Sequence, residues 1–138
     1  MSFVQILILI ASIMIGEVGI LDDADAATAI GFVIKNRVAS TQFPNTYAAV
    51  IEQGFYGWAD ATDKYIGLAY GIFIREDPTD GCLYALSQQD RVQLGFRPGD
   101  IVYGSGTYQL HLYHRWPEKL DEPSTQSRWH FKVLAVEP

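Results

Sequence analysis

The chain has 138 residues, 49% of them hydrophobic, and carries 16 acidic against 10 basic side chains for a formal net charge of -6. This length suits one domain with a buried core, so we expect residues 1–138 to form a single domain. The acidic balance, without a cluster of Lys or Arg, disfavours a nucleic-acid partner. A single cysteine, Cys82, excludes an intrachain disulfide and a cysteine-rich zinc site.

The N-terminal segment is an apolar run over residues 3–15. Its apolar side chains recur at helical spacing and fill most of the surface, which predicts a buried core helix. No Lys or Arg precedes the run and no A-x-A-like cleavage site follows it, which disfavours a secretory signal. The run is also short for a bilayer, so we expect no membrane span.

Three further helices are predicted from capping and turn residues. The acidic residues 22–25 cap a second helix that ends at Asn36-Arg37. Pro44 disfavours helix before it, and Asn45 or Thr46 then caps a short helix. A fourth helix is predicted over residues 60–76, because a turn rich in Asp, Pro and Gly follows it.

After residue 81 the sequence becomes rich in aromatic and β-branched residues, several with a period near two. This pattern predicts short strands separated by turns. The predicted strands cover residues 82–86, 101–103, 108–113 and 129–136. The fold class that follows is α+β, with the helices first and a smaller sheet afterwards.

Glu17 is a lone carboxylate that directly follows the apolar run and Gly16. An acid at the end of an apolar segment lies half out of water, a placement that suits a proton donor. The ordinary alternative is a solvated residue at a helix end, which is the commoner situation for a glutamate. The motifs that accompany Glu17 favour the catalytic role.

Five segments in order carry a resemblance to a known family. They are Gly16-Glu17, Val33-Ile34-Lys35-Asn36-Arg37-Val38, Phe43-Pro44-Asn45-Thr46, Gln53-Gly54-Phe55-Tyr56-Gly57-Trp58 and Asp80-Gly81-Cys82-Leu83-Tyr84. Together, over about residues 5 to 86, they resemble the cell-wall hydrolase family that includes the spore-cortex-lytic enzymes. The pattern of that family reads roughly G-E-A-R-G-E, V-x-N-R-V, F-P-N-T, G-Q-F-S-W and a later G-A-L-Y-F.

The resemblance implies a lysozyme-like helical core followed by a small antiparallel β region. It also implies cleavage of the β-1,4 bond after N-acetylmuramic acid in peptidoglycan, with Glu17 as general acid/base. In the lytic-transglycosylase variant, the acid protonates the leaving oxygen and then, as base, helps the muramic 6-hydroxyl to close a 1,6-anhydro ring. The implied partner is the glycan strand, no metal or organic cofactor is needed, and the expected location is cell wall, periplasm, spore or phage.

A conventional hydrolase would need a second carboxylate near Glu17. The separation is roughly 5 Å in a retaining enzyme and roughly 6.5–9.5 Å in an inverting one. Asp22, Asp23 and Asp25 are the nearest acids in sequence. Their placement already satisfies the capping rule, so we expect helix caps first and a catalytic part second.

Three aromatic residues, Tyr56, Trp58 and Tyr84, are candidates to bind sugar rings. Plain core packing is the equally weighted alternative, because large aromatic rings serve both purposes. Asn36 and Arg37 are expected to brace the helix that carries Glu17 rather than to contact substrate.

Other chemistries find little support. His111, His114 and His130 lack the spacing of a helical metal site, and surface or hydrogen-bonded core histidines are the favoured interpretation. Cys82 lies in an apolar predicted strand, where a thiol packs as a small hydrophobic group rather than acting as a nucleophile.

The chain also departs from the family pattern. Ile20 stands near the position where the family often has its second Glu, the segment from Glu17 to Asn36 is one residue longer, and Gly57 replaces a Ser. The missing second Glu, with the acidic charge, favours a second hypothesis, a catalytically inactive lysozyme-like binding or structural module of a phage or secretion assembly. Residues 88–138 lie outside the resemblance.

Overall fold

The structure is a computed structural model, and it describes residues 1–105 and 108–120. The helices are α1 (Phe3–Val18), α2 (Ala24–Ala39), α3 (Tyr47–Gly54), α4 (Asp63–Gly71) and α5 (Gln88–Leu94). The strands are β1 (Tyr84–Ser87), β2 (Ile101–Ser105) and β3 (Tyr108–Tyr113), and a 3₁₀ turn, Gly19–Leu21, links α1 to α2. The predicted α+β class is confirmed.

The core forms where α1 packs against α2 and α4. Ile10 and Met14 of α1 are fully buried, and Gly31 of α2 lies directly against the Met14 side chain, so the two helices approach closely. The first turns of α1 are more exposed than predicted, since Val4 and Ile8 face solvent. The predicted core helix is therefore buried over its second half and half-covered at its start.

The same helix has a second property that bears on its assignment. Together with the 3₁₀ turn it forms a stretch, Phe3–Leu21, that is long and apolar enough by length and composition to cross a membrane. Buried core helices and signal sequences meet the same criterion, and 39% of its most apolar window is buried within the chain.

The helices α2 and α3 begin at capping residues that the sequence predicted. The Asp23 Oδ1 accepts hydrogen bonds from the backbone N–H groups of Asp25 (2.9 Å) and Ala26 (3.2 Å), which caps α2. Thr46, one of the two candidates, caps α3 by accepting from the Ala49 N–H at 3.2 Å. Each cap satisfies amide groups that the first turn of a helix leaves without an internal partner.

Two helices differ from the sequence-based expectation. The predicted helix over 60–76 is shorter, because after Gly71 the chain tightens into turns in which Ile74 donates to the Gly71 carbonyl at 3.2 Å. This tightening directs Ile72 into the core, where it is fully buried. The helix α5 was not predicted at all, although Ser87 caps it and Gly95 ends it with a positive φ of 73°.

The sheet has the order β1-β3-β2 and is antiparallel throughout. Its register pairs Tyr84 with Tyr113 and Ile101 with Leu112. One side of the sheet closes the helical core through Leu110 and Leu112, while Tyr84 and Tyr113 belong to a second cluster under α5. The predicted strand over 129–136 lies outside the described residues.

The C-terminal end of α2 holds the chain that leads into β1. The Asn36 Nδ2 donates to the Asp77 Oδ2 at 2.8 Å and to the Cys82 carbonyl at 3.1 Å. Asp77 also accepts from the Thr79 N–H at 2.7 Å and the Gly81 N–H at 2.9 Å. Burial acts to raise the pKa of Asp77, but these hydrogen bonds favour its charged form and the net pKa is lowered.

We expect Asn36→Ala to destabilise the fold by about 1–3 kcal/mol, because the buried Cys82 carbonyl loses its donor and the Asp77 carboxylate loses one of its donors. The measurement is urea denaturation followed by circular dichroism. Asn45→Ala is the matched control, since Asn45 is exposed and such substitutions change stability by less than about 0.5 kcal/mol. Equal midpoints for the two variants would contradict the bracing role.

A second polar network lies under the sheet around His111, which is only 2% exposed. Its Nδ1 accepts a hydrogen bond from the Gly99 N–H at 2.9 Å, so the ring proton resides on Nε2, 2.6 Å from the Gln88 Oε1. Burial lowers the pKa of His111, and the nearby Arg91 lowers it further. The ring is therefore held neutral.

This neutral histidine predicts a fall in stability on mild acidification. The unfolded chain binds a proton at His111 as the pH drops through the ordinary value of about 6.5, while the folded chain takes it up only at lower pH. Stability is thus fully retained above that value and declines below it. Urea denaturation at pH 7 and pH 5 should show a smaller decline for His111→Gln, and an unchanged decline would refute this account.

Candidate active site

Glu17 lies in the last turn of α1 and points to the loop that follows α3. Its Oε1 accepts hydrogen bonds from the backbone N–H groups of Tyr56 and Gly57, both at 3.1 Å. None of the described residues donates to its second oxygen, Oε2. The sequence predicted a half-buried carboxylate, whereas Glu17 is exposed, because the turn after α1 leaves this helix end open. The carboxylate is therefore oriented by backbone and accessible to a ligand.

A contact between two glycines sets this arrangement. Gly16 and Gly57 lie backbone to backbone, and a Cβ built on Gly16 would collide with the main chain of Gly57 and Trp58. A Cβ on Gly57 would in turn collide with the main chain of Gly16 and Glu17. The Ala59 N–H donates to the Ser12 carbonyl at 3.3 Å and extends the contact. In this chain the close contact leaves no room for a side chain at position 57.

Arg37 lies beneath the site and is only 2% exposed. Its Nε donates to the Leu83 carbonyl at 2.6 Å, and its guanidinium carbon lies 4.8 Å, 5.0 Å and 5.4 Å from three aromatic ring centroids. The rings are those of Phe43, Phe55 and Tyr84. Its Nη1 is buried without a hydrogen-bond partner among the described residues.

Arg37 stays protonated despite its burial. Removal from water lowers the pKa of its guanidinium to about 10, while the neighbouring Tyr84 and Glu17 act in the opposite direction. The group is therefore cationic at neutral pH and places a positive charge near the Glu17 carboxylate. Stacking of a planar guanidinium on aromatic faces offsets part of the cost of burying it.

A cavity of about 220 Å³ opens beside Glu17. It is lined by the end of α1, the 3₁₀ turn and the loop after α3, together with β1, the start of α5 and the start of β3. The lining residues are Glu17, Val18, Ile20, Leu21, Ile30, Arg37, Gly54, Phe55, Tyr56, Ala85, Leu86, Ser87, Gln89, Asp90, Tyr108, Gln109, Leu110 and Trp116. The site therefore lies between the helical and the sheet halves.

The structure separates the three aromatic candidates. Tyr56 lines the cavity next to Glu17, whereas Trp58 is 59% exposed on the surface and does not line it. Tyr84 is only 2% exposed and packs edge-on against Trp116, with ring centroids 5.5 Å apart. Tyr84 therefore packs in the core. Alternate residues of β1 point to one side of the sheet, so Tyr84 and Leu86 both enter the apolar cluster under α5.

The aspartates nearest to Glu17 in sequence do not line the cavity. Asp23 caps α2, and Asp22 lies 3.7 Å from the Lys64 Nζ in an exposed ion pair. The acid that does line the cavity with Glu17 is Asp90, from the first turn of α5. Sequence reasoning missed it because α5 itself was missed, although Ser87 followed three residues later by Asp90 is a helix-start signal.

The remaining titratable candidates have structural partners. The His114 Nδ1 lies 3.0 Å from the Asp100 Oδ2, and hydrogen bonds from His114 and Arg97 lower the pKa of Asp100 to about 2 despite partial burial. Burial raises the pKa of the Cys82 thiol to about 12, with nearby acids adding to the effect, which makes it a poor nucleophile. His130 lies outside the described residues.

The chain matches no protein-family model and no curated protein. Among solved structures it is similar to the catalytic domain of the Bacillus cereus SleB protein, with a TM-score of 0.56 and 25% sequence identity. The match covers 64% of this chain and 73% of that one. It confirms the lysozyme-like α+β fold and the resemblance to cell-wall hydrolases of the spore-cortex-lytic type.

The glycine contact can be tested by adding one methyl group. We expect Gly16→Ala to destabilise the fold by about 1–3 kcal/mol, because main chain rather than a flexible side chain must move. Gly67→Ala is the control. Its Cβ would enter open space on α4, so the substitution should raise the free energy of unfolding by about 0.5–1 kcal/mol. Urea denaturation compares them, and a Gly16→Ala variant as stable as the parent would disprove the contact.

Proposed function

We propose that this protein cleaves the β-1,4 glycosidic bond between N-acetylmuramic acid and N-acetylglucosamine in peptidoglycan, as a lytic transglycosylase with Glu17 as general acid/base. The observation that carries the proposal is the placement of Glu17. It lies at the end of the first helix, on the cavity, with one carboxylate oxygen fixed by two backbone N–H groups. The similarity to the SleB catalytic domain supports a peptidoglycan-lytic activity in general.

In the proposed mechanism the two oxygens of Glu17 have different tasks. Oε1 is occupied by the N–H groups of Tyr56 and Gly57, so Oε2 carries the proton to the glycosidic oxygen. As that proton moves to the leaving oxygen, the bond to C1 of the muramic residue breaks. The same N–H groups then stabilise the carboxylate that is left behind, because hydrogen bonds to an ionised acceptor are stronger than to a neutral one.

The second half of the reaction needs no further protein group. The Glu17 carboxylate accepts the proton of the muramic 6-hydroxyl while the oxygen of that hydroxyl bonds to C1. This step closes the 1,6-anhydro ring and restores the protonated acid. Buried Arg37 contributes positive charge near Glu17 while the carboxylate is ionised. The step is intramolecular, so the nucleophile is already in place when the bond breaks.

A hydrolase is the second candidate, and one observation favours it. Asp90 lines the same cavity and supplies a second carboxylate there. In an inverting hydrolase that carboxylate removes a proton from the water that attacks C1. The two reactions differ in their products, which are anhydro-muramic ends in one case and reducing ends in the other.

The proposal predicts that Glu17→Gln loses at least about 100-fold in rate, because general acid/base catalysis contributes at least that much. The amide still accepts the two N–H bonds, so the fold should persist. The measurement is mass spectrometry of soluble muropeptides released from purified sacculi, with exposed Glu52 changed to Gln as the matched control.

The products of the parent protein decide between the candidates. Anhydro-muramic ends that vanish in Glu17→Gln support the transglycosylase, and reducing ends that vanish support the hydrolase. If the folded parent releases no muropeptides, the enzyme proposal fails in favour of a catalytically inactive binding or structural module.

A further inference from the structure

Part of the cavity lining comes from segments outside the motif resemblance. Gln89 and Asp90 come from the first turn of α5, and Tyr108 comes from the start of β3. The β-sheet brings these segments together, since β1 leads directly into α5 and pairs with β3. This outer wall, defined by Gln89, Asp90 and Tyr108, has no role in the proposed transglycosylase chemistry.

Tyr108 presents a large aromatic ring to solvent at the cavity. The residue is 55% exposed and lines the cavity, as Tyr56 also does. A tyrosine ring combines an apolar face with a polar hydroxyl. A pyranose ring has the matching character, because its C–H groups form an apolar face and its hydroxyls point outwards. An exposed ring at a concave site therefore fits a sugar better than a wholly apolar ligand.

Asp90 and Gln89 supply the polar part of the same wall. The Asp90 N–H donates to the Ser87 Oγ at 3.1 Å, which caps α5. Its carboxylate forms no hydrogen bond or ion pair with the described residues. A carboxylate accepts from several hydroxyls, and the neighbouring Gln89 amide both donates and accepts. Such groups beside an aromatic face are suited to the hydroxyl and acetamido groups of an aminosugar.

The size of the cavity limits what it holds. At about 220 Å³ it is smaller than the ~300–1,000 Å³ typical of sites for drug-sized ligands. One sugar ring suits this space better than a disaccharide. The remainder of a glycan strand would extend past the exposed Tyr108 and Tyr56 rings.

We propose that the outer wall is a subsite for one N-acetylhexosamine ring, which stacks on Tyr108 and hydrogen-bonds through its polar groups to Asp90 and Gln89. The inference rests on the proposed function, since it assigns the substrate contacts of the same cavity. It gives the segment from α5 to β3 a direct part in substrate recognition.

The first test measures binding without turnover. In the Glu17→Gln background, titration calorimetry with the β-1,4-linked N-acetylglucosamine tetramer should give a dissociation constant that rises about tenfold on Tyr108→Ala. Tyr108→Phe keeps the stacking face and should recover most of the affinity, whereas Tyr108→Leu should not. Tyr70→Ala is the control, because Tyr70 is exposed on α4 away from the cavity. Equal affinities for all four variants, with folding verified, would overturn the stacking role.

The second test concerns Asp90. Asp90→Asn should weaken tetramer binding about fivefold through the loss of charge-assisted hydrogen bonds, with exposed Asp60→Asn as control. With wild-type Glu17 and purified glycan strands, Asp90→Asn and Tyr108→Ala should raise KM more than they lower kcat, as loss of uniform binding does. If Asp90→Asn binds normally but loses turnover, Asp90 acts on the reacting bond and its subsite role is refuted.

The outcomes separate this inference from the proposed function. Muropeptide release by the parent protein, with Tyr108 and Asp90 variants that bind and turn over normally, would refute the subsite and leave the enzyme proposal standing. Tetramer binding that depends on Tyr108 in a protein that releases no muropeptides would support the subsite and refute the enzyme. Failure of the Glu17→Gln protein to bind either the tetramer or purified glycan strands would overturn the subsite outright.

Discussion

The backbone contact between Gly16 and Gly57 is the constraint on which the rest of the site depends. Because neither residue has a Cβ, the last turn of α1 and the loop after α3 meet at main-chain distance. Only at that distance do two consecutive N–H groups of the loop reach the same oxygen of Glu17. The carboxylate is thus oriented by two backbone segments whose positions the core fixes, rather than by mobile side chains. Such preorganisation is what an acid catalyst at a solvent-accessible position requires.

The end of α2 holds the segment that leads into β1, and β1 also lines the cavity. Asn36 and Arg37 donate to the carbonyls of Cys82 and Leu83, the two residues before β1. A buried arginine is costly unless it is paired, and here three aromatic faces and one carbonyl offset the cost. The two residues therefore hold the segment that leads into β1. Among the described residues, none of their hydrogen bonds reaches α1, the helix that they were expected to brace.

The sequence predicted the helical half well, for local reasons. Asp23 and Thr46 cap the helices they were assigned to, and Glu17 follows its apolar run at the helix end, because caps and periodicity act within one or two turns. The sheet half was less predictable, since α5 is only seven residues long and its apolar pattern is correspondingly weak. The sequence left sugar binding and core packing equally weighted for Tyr84, for a related reason. Whether a strand residue faces a groove or a core depends on which face the distant β3 and α5 cover, and that is a tertiary property.

The proposed reaction and the proposed sugar subsite are linked, because a bound sugar ring displaces water from the cavity. In both proposed reactions Glu17 protonates the leaving oxygen, and the reactions differ in whether the muramic 6-hydroxyl or a water molecule reaches C1 first. A sugar ring held against Tyr108 and Asp90 would fill much of a cavity of about 220 Å³ and displace the water that an inverting mechanism needs. An internal hydroxyl then has the advantage of a very high effective concentration. On this reasoning an occupied subsite favours ring closure. Asp90 is then a binding group in a transglycosylase, and it acts as a base only in a site that admits water.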